Sequence, residues 1–116
     1  PAAEAVFFHG KLREAQMAFG GLIVNRAEIA PAGLGTAGDV RAELAGDLGE
    51  RLAAKVAAGA ADLHVLAARD AASIERLKEQ LGEPDPIVVP RLEGDITDVE
   101  GLLALYRHLE GETPRA

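Results

Sequence analysis

Two short apolar segments constrain the fold of this chain more than any other feature. The first is Gly20–Arg26, with the sequence GGLIVNR, and the second is Ile87–Ile96, with the sequence IVVPRLEGDI. Their apolar residues run on without alternation and are rich in Val and Ile, which is typical of strands buried on both faces of a parallel sheet. The chain is therefore expected to be an α/β protein with two short parallel strands.

Asn25 and Pro90 fall at the carboxyl ends of these two strands. In open α/β sheets, ligands bind outside the carboxyl ends of the strands. An amide and a flat ring at that edge suit the base of a nucleotide. No segment matches the spacing of a phosphate-binding loop. We therefore expect the base-binding end of a nucleotide-binding domain, without its phosphate-binding end.

The composition excludes several classes of function. The 116 residues fit one domain, and the formal net charge of -7 without a basic stripe argues against nucleic-acid binding. The absence of Cys excludes disulfides, thiolate zinc sites and a thiol nucleophile, and favours a cytoplasmic protein. No apolar run approaches the ~18 residues that cross a bilayer, so any membrane role is expected to be indirect.

Helical periodicity predicts about four helices. Residues 3–17 are expected to form the first helix, and Gly20-Gly21 is the stop signal between this helix and the first strand. A second helix is expected to begin near Thr36 to Asp39 and to continue until Gly59 breaks or kinks it. A third is expected at 61–81, although a short strand at 63–66 remains open. The apolar positions that carry these predictions are Ala5, Phe8, Leu12 and Ala15, then Leu44, Leu48, Leu52 and Val56, then Leu63, Leu66, Ile74, Leu77 and Leu81.

The last helix has the sharpest start signal. Thr97 and Glu100 have the spacing of a capping box, in which each side chain accepts a hydrogen bond from the other's backbone. Its buried side is predicted to consist of Val99, Leu102, Leu103, Tyr106 and Leu109. Two strands alone do not make a stable sheet, and the first helix has no strand before it, so part of the sheet is expected to be missing.

These segments resemble a known family. The stretch Glu4–Asn25, the Asn25-Arg26 strand end, and the segment from Val88 to Ile96 with the capped helix after it look like the C-terminal part of the arsenite-pump and tail-anchored-protein-targeting ATPases. The nearest likeness is to the actinobacterial anion-transporting branch of these P-loop ATPases. The valine-asparagine strand end also occurs in septum-positioning and plasmid-partition ATPases.

The resemblance implies a specific role for the strand ends. Asn25 would hydrogen-bond the edge of adenine, because an amide supplies both a donor and an acceptor. The base face and its surroundings would be contacted by the remaining predicted site residues, which are Arg26, Pro90, Arg91, Leu92 and Gly94. The cofactor would be ATP, with Mg held by parts of the ATPase outside this chain, and residues 36–81 would form a helical insert.

The family features that are absent are as informative as those present. The phosphate loop, the Mg-binding residues and the switch segments have no counterpart here, and the paired cysteines of the eukaryotic members are missing. The chain alone is therefore expected not to hydrolyse ATP. Its expected partners are the remainder of the ATPase chain and a second subunit, either a copy in a homo-oligomer such as a dimer or a paralogous ATPase subunit.

For the other candidate residues, a structural role is a stronger interpretation than a functional one. Gly10-Lys11 lies within a helix and lacks the spacing of a phosphate loop. The glycine-rich loop 31–38 opens a helix and could receive an anion, but a flexible connection is the stronger interpretation. Ser73 lies inside a helix and makes no nucleophile elbow. Metal and acid-base roles are also not favoured for His9, His64, His108, Glu93 and Asp95.

Two alternatives remain open for the site and for the protein. Asn25 can instead cap the turn after its strand, Pro90 can simply end a strand, and Arg26 can pair with a carboxylate of the last helix. The chain can also be a small helical protein-interaction module with no nucleotide role. A receiver-like domain is a third possibility, although it requires an acidic cluster after an early strand.

Overall fold

A computed structural model of the protein describes residues 2–83, 85–92, 94 and 96–111. Within these residues the chain is a mixed α/β protein with four helices and a two-stranded parallel sheet, which confirms the expected class and element order. The elements are α1 (Ala2–Glu14), β1 (Ile23–Ala27), α2 (Ala37–Leu48), α3 (Glu50–Leu81), β2 (Ile87–Pro90) and α4 (Val99–Leu109).

The described residues divide into two compact units. One contains the chain up to Ala27 together with the chain from Ala71 onward, and therefore holds α1, both strands and α4. The other is Glu28–Asp70, which holds α2 and the first part of α3. Residues 28–70 overlap the helical insert expected at 36–81, but the second unit ends within α3.

The two strands pair in parallel with one irregularity. Ile23 is opposite Ile87 and Asn25 is opposite Val89, but Pro90 is opposite Ala27. Arg26 is therefore an extra residue on β1, which makes a β-bulge at the carboxyl end of the strand. Bulges bend a strand and redirect its side chains, and they are over-represented next to functional sites.

The prediction that both strands are buried on both faces is wrong. Only Ala27 of β1 and Val89 of β2 are buried, whereas 57% of Ile23 and 37% of Ile87 remain exposed. The strand sequences suit a covered sheet, but this sheet has two strands and leaves apolar side chains in solvent. A pair of strands is at best marginally stable unless more strands or a helix pack against it.

α1 ends earlier than expected, at Glu14 rather than at residue 17. The N–H of Met17 donates to the carbonyl of Leu12 and the N–H of Gln16 donates to that of Arg13. These bonds form a Schellman motif, with Gln16 at the left-handed position (φ 55°) that glycine usually occupies. The residue at the left-handed position is Gln and not Gly, so the sequence has no local signal for a helix end here.

The boundary between α2 and α3 also differs from the prediction. The helix is interrupted at Gly49, whose φ of 74° and ψ of 154° are accessible almost only to glycine. Gly59 does not end a helix, because α3 continues from Glu50 to Leu81 and includes residues 63–66 as helix. A mid-helix glycine costs about 1 kcal/mol, which the tertiary packing of a long helix can outweigh.

α3 buries alanines instead of the leucines expected at its start. Ala53, Ala57 and Ala60 are buried, whereas 48% of Leu52 and 40% of Val56 are exposed. The predicted stack of large residues across the α2–α3 boundary is therefore wrong, because the break at Gly49 interrupts its helical register. Further along α3, burial of Leu77 and Leu81 agrees with the prediction.

α4 packs against β2, and it begins one residue later than the capping-box prediction required. Asp98, not Thr97, is the N-cap, and its carboxylate accepts a 2.8 Å hydrogen bond from the N–H of Gly101. The predicted buried side is wrong for most of its members, since the exposed fractions are large at Val99 (72%), Leu102 (57%), Leu103 (52%) and Tyr106 (56%). Half-buried residues on the other side include Ala104 and Leu105.

Of the helices described, none combines the length and the apolar character that a membrane span requires.

Candidate functional site

A cleft of about 480 Å³ lies at the carboxyl ends of the two parallel strands. Its lining includes every residue that the sequence analysis assigned to the base site: Asn25, Arg26, Pro90, Arg91, Leu92 and Gly94. These residues come from two segments that are distant in the sequence, and the parallel pairing of β1 and β2 brings them together. The volume is within the ~300–1,000 Å³ typical of ligand pockets.

Asn25 offers an available amide at this cleft. It is opposite Val89 in the ladder, and it is the last residue of β1 before the bulge. Its side chain is exposed and hydrogen-bonds to none of the other described residues. The turn-capping interpretation therefore has no hydrogen bond to support it within this part of the chain. An amide in this position can offer both a donor and an acceptor to a ligand.

Arg26 has the most unusual backbone in the site. Its φ is 60°, a left-handed conformation that costs a side-chain-bearing residue about 1–2 kcal/mol. Among the described residues it has no ion-pair partner, so the expected alternative of a carboxylate from the last helix is not found there. Conformational strain of this kind is concentrated at functional sites.

Pro90 sits in β2 without breaking the ladder. The N–H groups of Ile87 and Arg91 donate to the carbonyls of Leu22 and Ala27, each at 2.9 Å. Alternate residues of a strand direct their N–H groups to the same side. Since the N–H groups of Ile87 and Arg91 point to β1, the backbone nitrogen of Pro90 points away from it. The missing N–H of proline therefore removes no bond from this pair, and the pyrrolidine ring is placed in the cleft wall.

The apolar part of the cleft was not fully anticipated. Val89, Ile96 and Leu105 also line it, and Leu105 comes from α4. The signal for Leu105 is present in the sequence, because α4 carries apolar residues around more than one side. Only its contact with β2 identifies which side turns toward the strands. Apolar walls around a few polar groups are typical of small-molecule sites.

Both charged side chains among the described lining residues are arginines. This is notable in a chain whose formal net charge is -7. Arg91 also has interactions of its own. The carboxylates considered beside the base, Glu93 and Asp95, lie outside the described residues. No group of three or more His, Asp or Glu side chains within those residues is arranged to hold a metal ion.

The weaker anion sites are explained by local structure. Lys11 lies within α1, where it donates a 2.6 Å bond to Glu14. At the start of α2, the carboxylate of Asp39 accepts hydrogen bonds from both the N–H (2.9 Å) and the hydroxyl (2.7 Å) of Thr36. The hydroxyl and then the N–H of Thr36 lower the pKa of Asp39. An anion at this helix start would face that carboxylate.

The remaining polar candidates also have structural roles. The imidazole of His64 lies 3.2 Å from the carbonyl oxygen of Gly35, and His9 makes an edge-to-face contact with Phe19 at a centroid distance of 4.7 Å. Ser73 lies within α3 and accepts a 3.1 Å hydrogen bond from Arg76. Each contact is of the kind that stabilises a fold, and none assembles a catalytic group.

Comparison with protein families, curated proteins and solved structures finds no match to this chain.

Proposed function

We propose that this chain is the adenine-binding portion of an ATPase of the anion-transporting and protein-targeting type. The observation that carries the proposal is the convergence of all six expected base-site residues on one cleft at the carboxyl ends of parallel strands. This is the position at which open α/β sheets bind ligands. ATP is the proposed cofactor, and the P-loop class of the domain is part of the proposal.

The residues present fit a purine base. The exposed amide of Asn25 would bind the base edge, and Pro90 and Leu92 would pack against its face. The arginines at positions 26 and 91 would stack on the base or attract the anionic part of the nucleotide. A base in this cleft is held by a few polar contacts and apolar packing, an arrangement expected to give weak binding on its own.

The triphosphate chemistry is assigned to other parts of the ATPase. In P-loop ATPases the stabilisation of phosphoryl transfer comes from the phosphate loop and Mg²⁺, which this chain does not supply in the proposal. The chain's own residues would bind and orient the base. The incompletely covered strands support a partner chain at the sheet, such as the remainder of the ATPase or a second ATPase subunit, in a cytoplasmic assembly.

The test is titration of the chain with AMP, followed by backbone amide NMR. We expect chemical-shift changes confined to Asn25, Arg26, Arg91, Leu92 and Gly94, with a Kd no tighter than about 1 mM. CMP serves as the ligand control.

A matched pair of variants tests whether AMP binding depends on the amide of Asn25. Asn25→Ala should abolish the AMP-dependent changes, because it removes the amide that would bind the base edge. Gln80→Ala removes an exposed amide from α3, outside the cleft, and is the control variant. It should bind AMP as the unmodified chain does.

Two outcomes would overturn the proposal. Shifts of equal size with CMP would show that the cleft does not recognise adenine. Submicromolar binding with ATP hydrolysis would show that the chain carries a complete site. Localised AMP shifts that Asn25→Ala removes and Gln80→Ala leaves intact would support it.

A second candidate function is a protein-interaction module without a nucleotide role. The observation that favours it is the exposed apolar side of α4, at Val99, Leu102, Leu103 and Tyr106. Their i, i+3, i+4, i+7 spacing is the one by which an amphipathic helix binds a groove on a partner. Absence of AMP-dependent shifts together with partner binding through this side would favour this candidate.

A further inference from the structure

The structure contains a second concave surface, at the opposite end of the strands from the base cleft. This amino-end groove has a volume of about 590 Å³ and lies beside Ile23 and Ile87, the first residues of β1 and β2. Its walls include Phe8 and Leu12 of α1, Phe19 of the following loop and Leu81 at the end of α3. All of these residues belong to one compact unit.

The walls of the amino-end groove are accessible to a partner. Phe8 is 63% exposed, Ile23 57% and Phe19 36%. Exposed apolar side chains scattered singly need no explanation, but several around one concavity mark an interaction site. The edge-to-face contact of His9 with Phe19 holds one wall against α1. The groove is therefore built by side-chain packing and not only by a gap between loops.

The charges on this groove have one sign. Glu83 and Asp85 line it, and no Lys or Arg is among its described lining residues. The two acidic residues are two positions apart in the chain, and the carboxylate of Glu83 lies 3.4 Å from the backbone nitrogen of Asp85. An apolar wall next to two carboxylates is complementary to a ligand that combines apolar side chains with positive charge.

We propose that the amino-end groove binds a cationic amphipathic peptide segment of another protein, with apolar side chains in the groove and a Lys or Arg at Glu83 and Asp85. A second copy of this chain is a poorer occupant, because each copy has a formal net charge of -7. The proposal does not depend on the base cleft, since the two surfaces share no residue.

The experiment uses two synthetic helical peptides of about 15 residues, long enough to form a helix. One contains Leu and Lys and the other contains Leu and Glu in the same pattern. Fluorescence anisotropy of labelled peptide measures binding to the full chain. We expect the Leu/Lys peptide to bind at least about tenfold more tightly than the Leu/Glu peptide, and its affinity to fall with salt.

Two variants test whether the peptide binds in the amino-end groove. Gly20 lines the groove, has no positive φ, and a Cβ added there would meet nothing within 4 Å. Gly20→Leu should therefore occupy the groove without disturbing the fold. Glu83→Gln with Asp85→Asn removes the charges and should weaken the Leu/Lys peptide about fivefold or more.

Matched controls separate the groove from general effects. Gly10→Leu adds the same side chain at an α1 position that is outside the groove and equally open. Asp62→Asn with Glu79→Gln removes the same charge from exposed positions on α3. Circular dichroism checks that each variant keeps the fold.

The proposal is supported if both groove variants weaken the Leu/Lys peptide and both controls bind it as the unmodified chain does. Equal weakening by the two charge pairs would overturn it, because binding would then follow net charge alone. Absence of binding, equal binding of the two peptides, or a self-associated chain that Gly20→Leu converts to monomer would also overturn it.

Discussion

The backbone N–H of Arg91 donates a 2.9 Å hydrogen bond to the carbonyl oxygen of Ala27, one residue beyond the bulge in β1. The ladder therefore resumes after the extra residue Arg26 and ties together the two segments that line the cleft at the carboxyl ends of the strands. The cleft walls are therefore joined by a backbone hydrogen bond beyond the bulge.

Arg26 provides a test of the strained backbone in this bulge. Its positive φ favours Gly, whereas a β-branched residue is strongly disfavoured there. Arg26→Val should unfold at lower denaturant than Arg26→Gly, with a difference of about 1–2 kcal/mol in the free energy of unfolding. Urea denaturation followed by circular dichroism measures it.

Asn25 is the matched control for this comparison, because it lies in the same strand without a positive φ. There the order should reverse, since Val is favoured over Gly in a strand by up to about 1 kcal/mol. The same order at both positions would contradict a left-handed backbone at Arg26.

Gly49, between α2 and α3, and Gly59, within α3, should respond oppositely to substitution by alanine. Gly49 has a conformation closed to alanine, so Gly49→Ala should lower the free energy of unfolding by about 1–3 kcal/mol. Gly59 lies within α3 with open space where a Cβ would be, so Gly59→Ala should raise it by about 1 kcal/mol. Thermal unfolding of both variants measures these effects. If the helix instead broke at Gly59, Gly59→Ala would destabilise the protein and Gly49→Ala would stabilise it.

The start of α2 should weaken in acid. Hydrogen bonds from the hydroxyl and then the N–H of Thr36 lower the pKa of Asp39. A carboxyl whose pKa is lower in the folded state stabilises the fold above its unfolded pKa of about 3.9, and this contribution is lost as the pH falls through the folded value. Thr36→Val removes the hydroxyl and should raise the pKa of Asp39 measured by NMR.

Ser73→Ala is the control for that titration, since it removes a hydroxyl from α3, far along the chain from the cap. It should leave the pKa of Asp39 unchanged. An unaltered pKa of Asp39 in Thr36→Val would show that the capping box does not form in solution.

The exposed apolar side of α4 should promote self-association at high protein concentration. Leu103 is 52% exposed, so Leu103→Lys removes apolar surface with little cost to the fold. Sedimentation velocity should show association of the unmodified chain and a lower associated fraction for Leu103→Lys. Ala72→Lys adds the same charge at an exposed position of α3 and should associate as the unmodified chain does.

Most of the elements could be predicted because their signals are local. The Val- and Ile-rich run bounded by Pro86 identified β2 at its observed bounds, and the start expected for α2, near Thr36 to Asp39, agrees with its first residue, Ala37. The candidate site was also predictable in part, because Pro90 ends β2 as expected, although β1 continues two residues past Asn25 to Ala27. Parallel pairing then brought the predicted residues to one cleft, as expected.

The ends of α1 and α2 were not predictable from these signals. Gln16 ends α1 in a conformation that its side chain does not favour, and nothing local distinguishes Gly49 from Gly59. A single glycine changes helix stability by only about 1 kcal/mol, so packing around it decides whether the helix continues. In the helix that begins at Glu50, the buried residues of the first turns are Ala53, Ala57 and Ala60.

By itself, the amino-acid sequence determined which segments form helices and strands, because these depend on neighbouring residues. Tertiary structure alone decided which side of α4 is covered. Apolar residues occur on both sides of that helix, and contact with β2 half-buries Leu105 while Leu103 stays exposed. Burial depends on residues distant in the chain, so a local pattern with two apolar sides cannot specify which one packs.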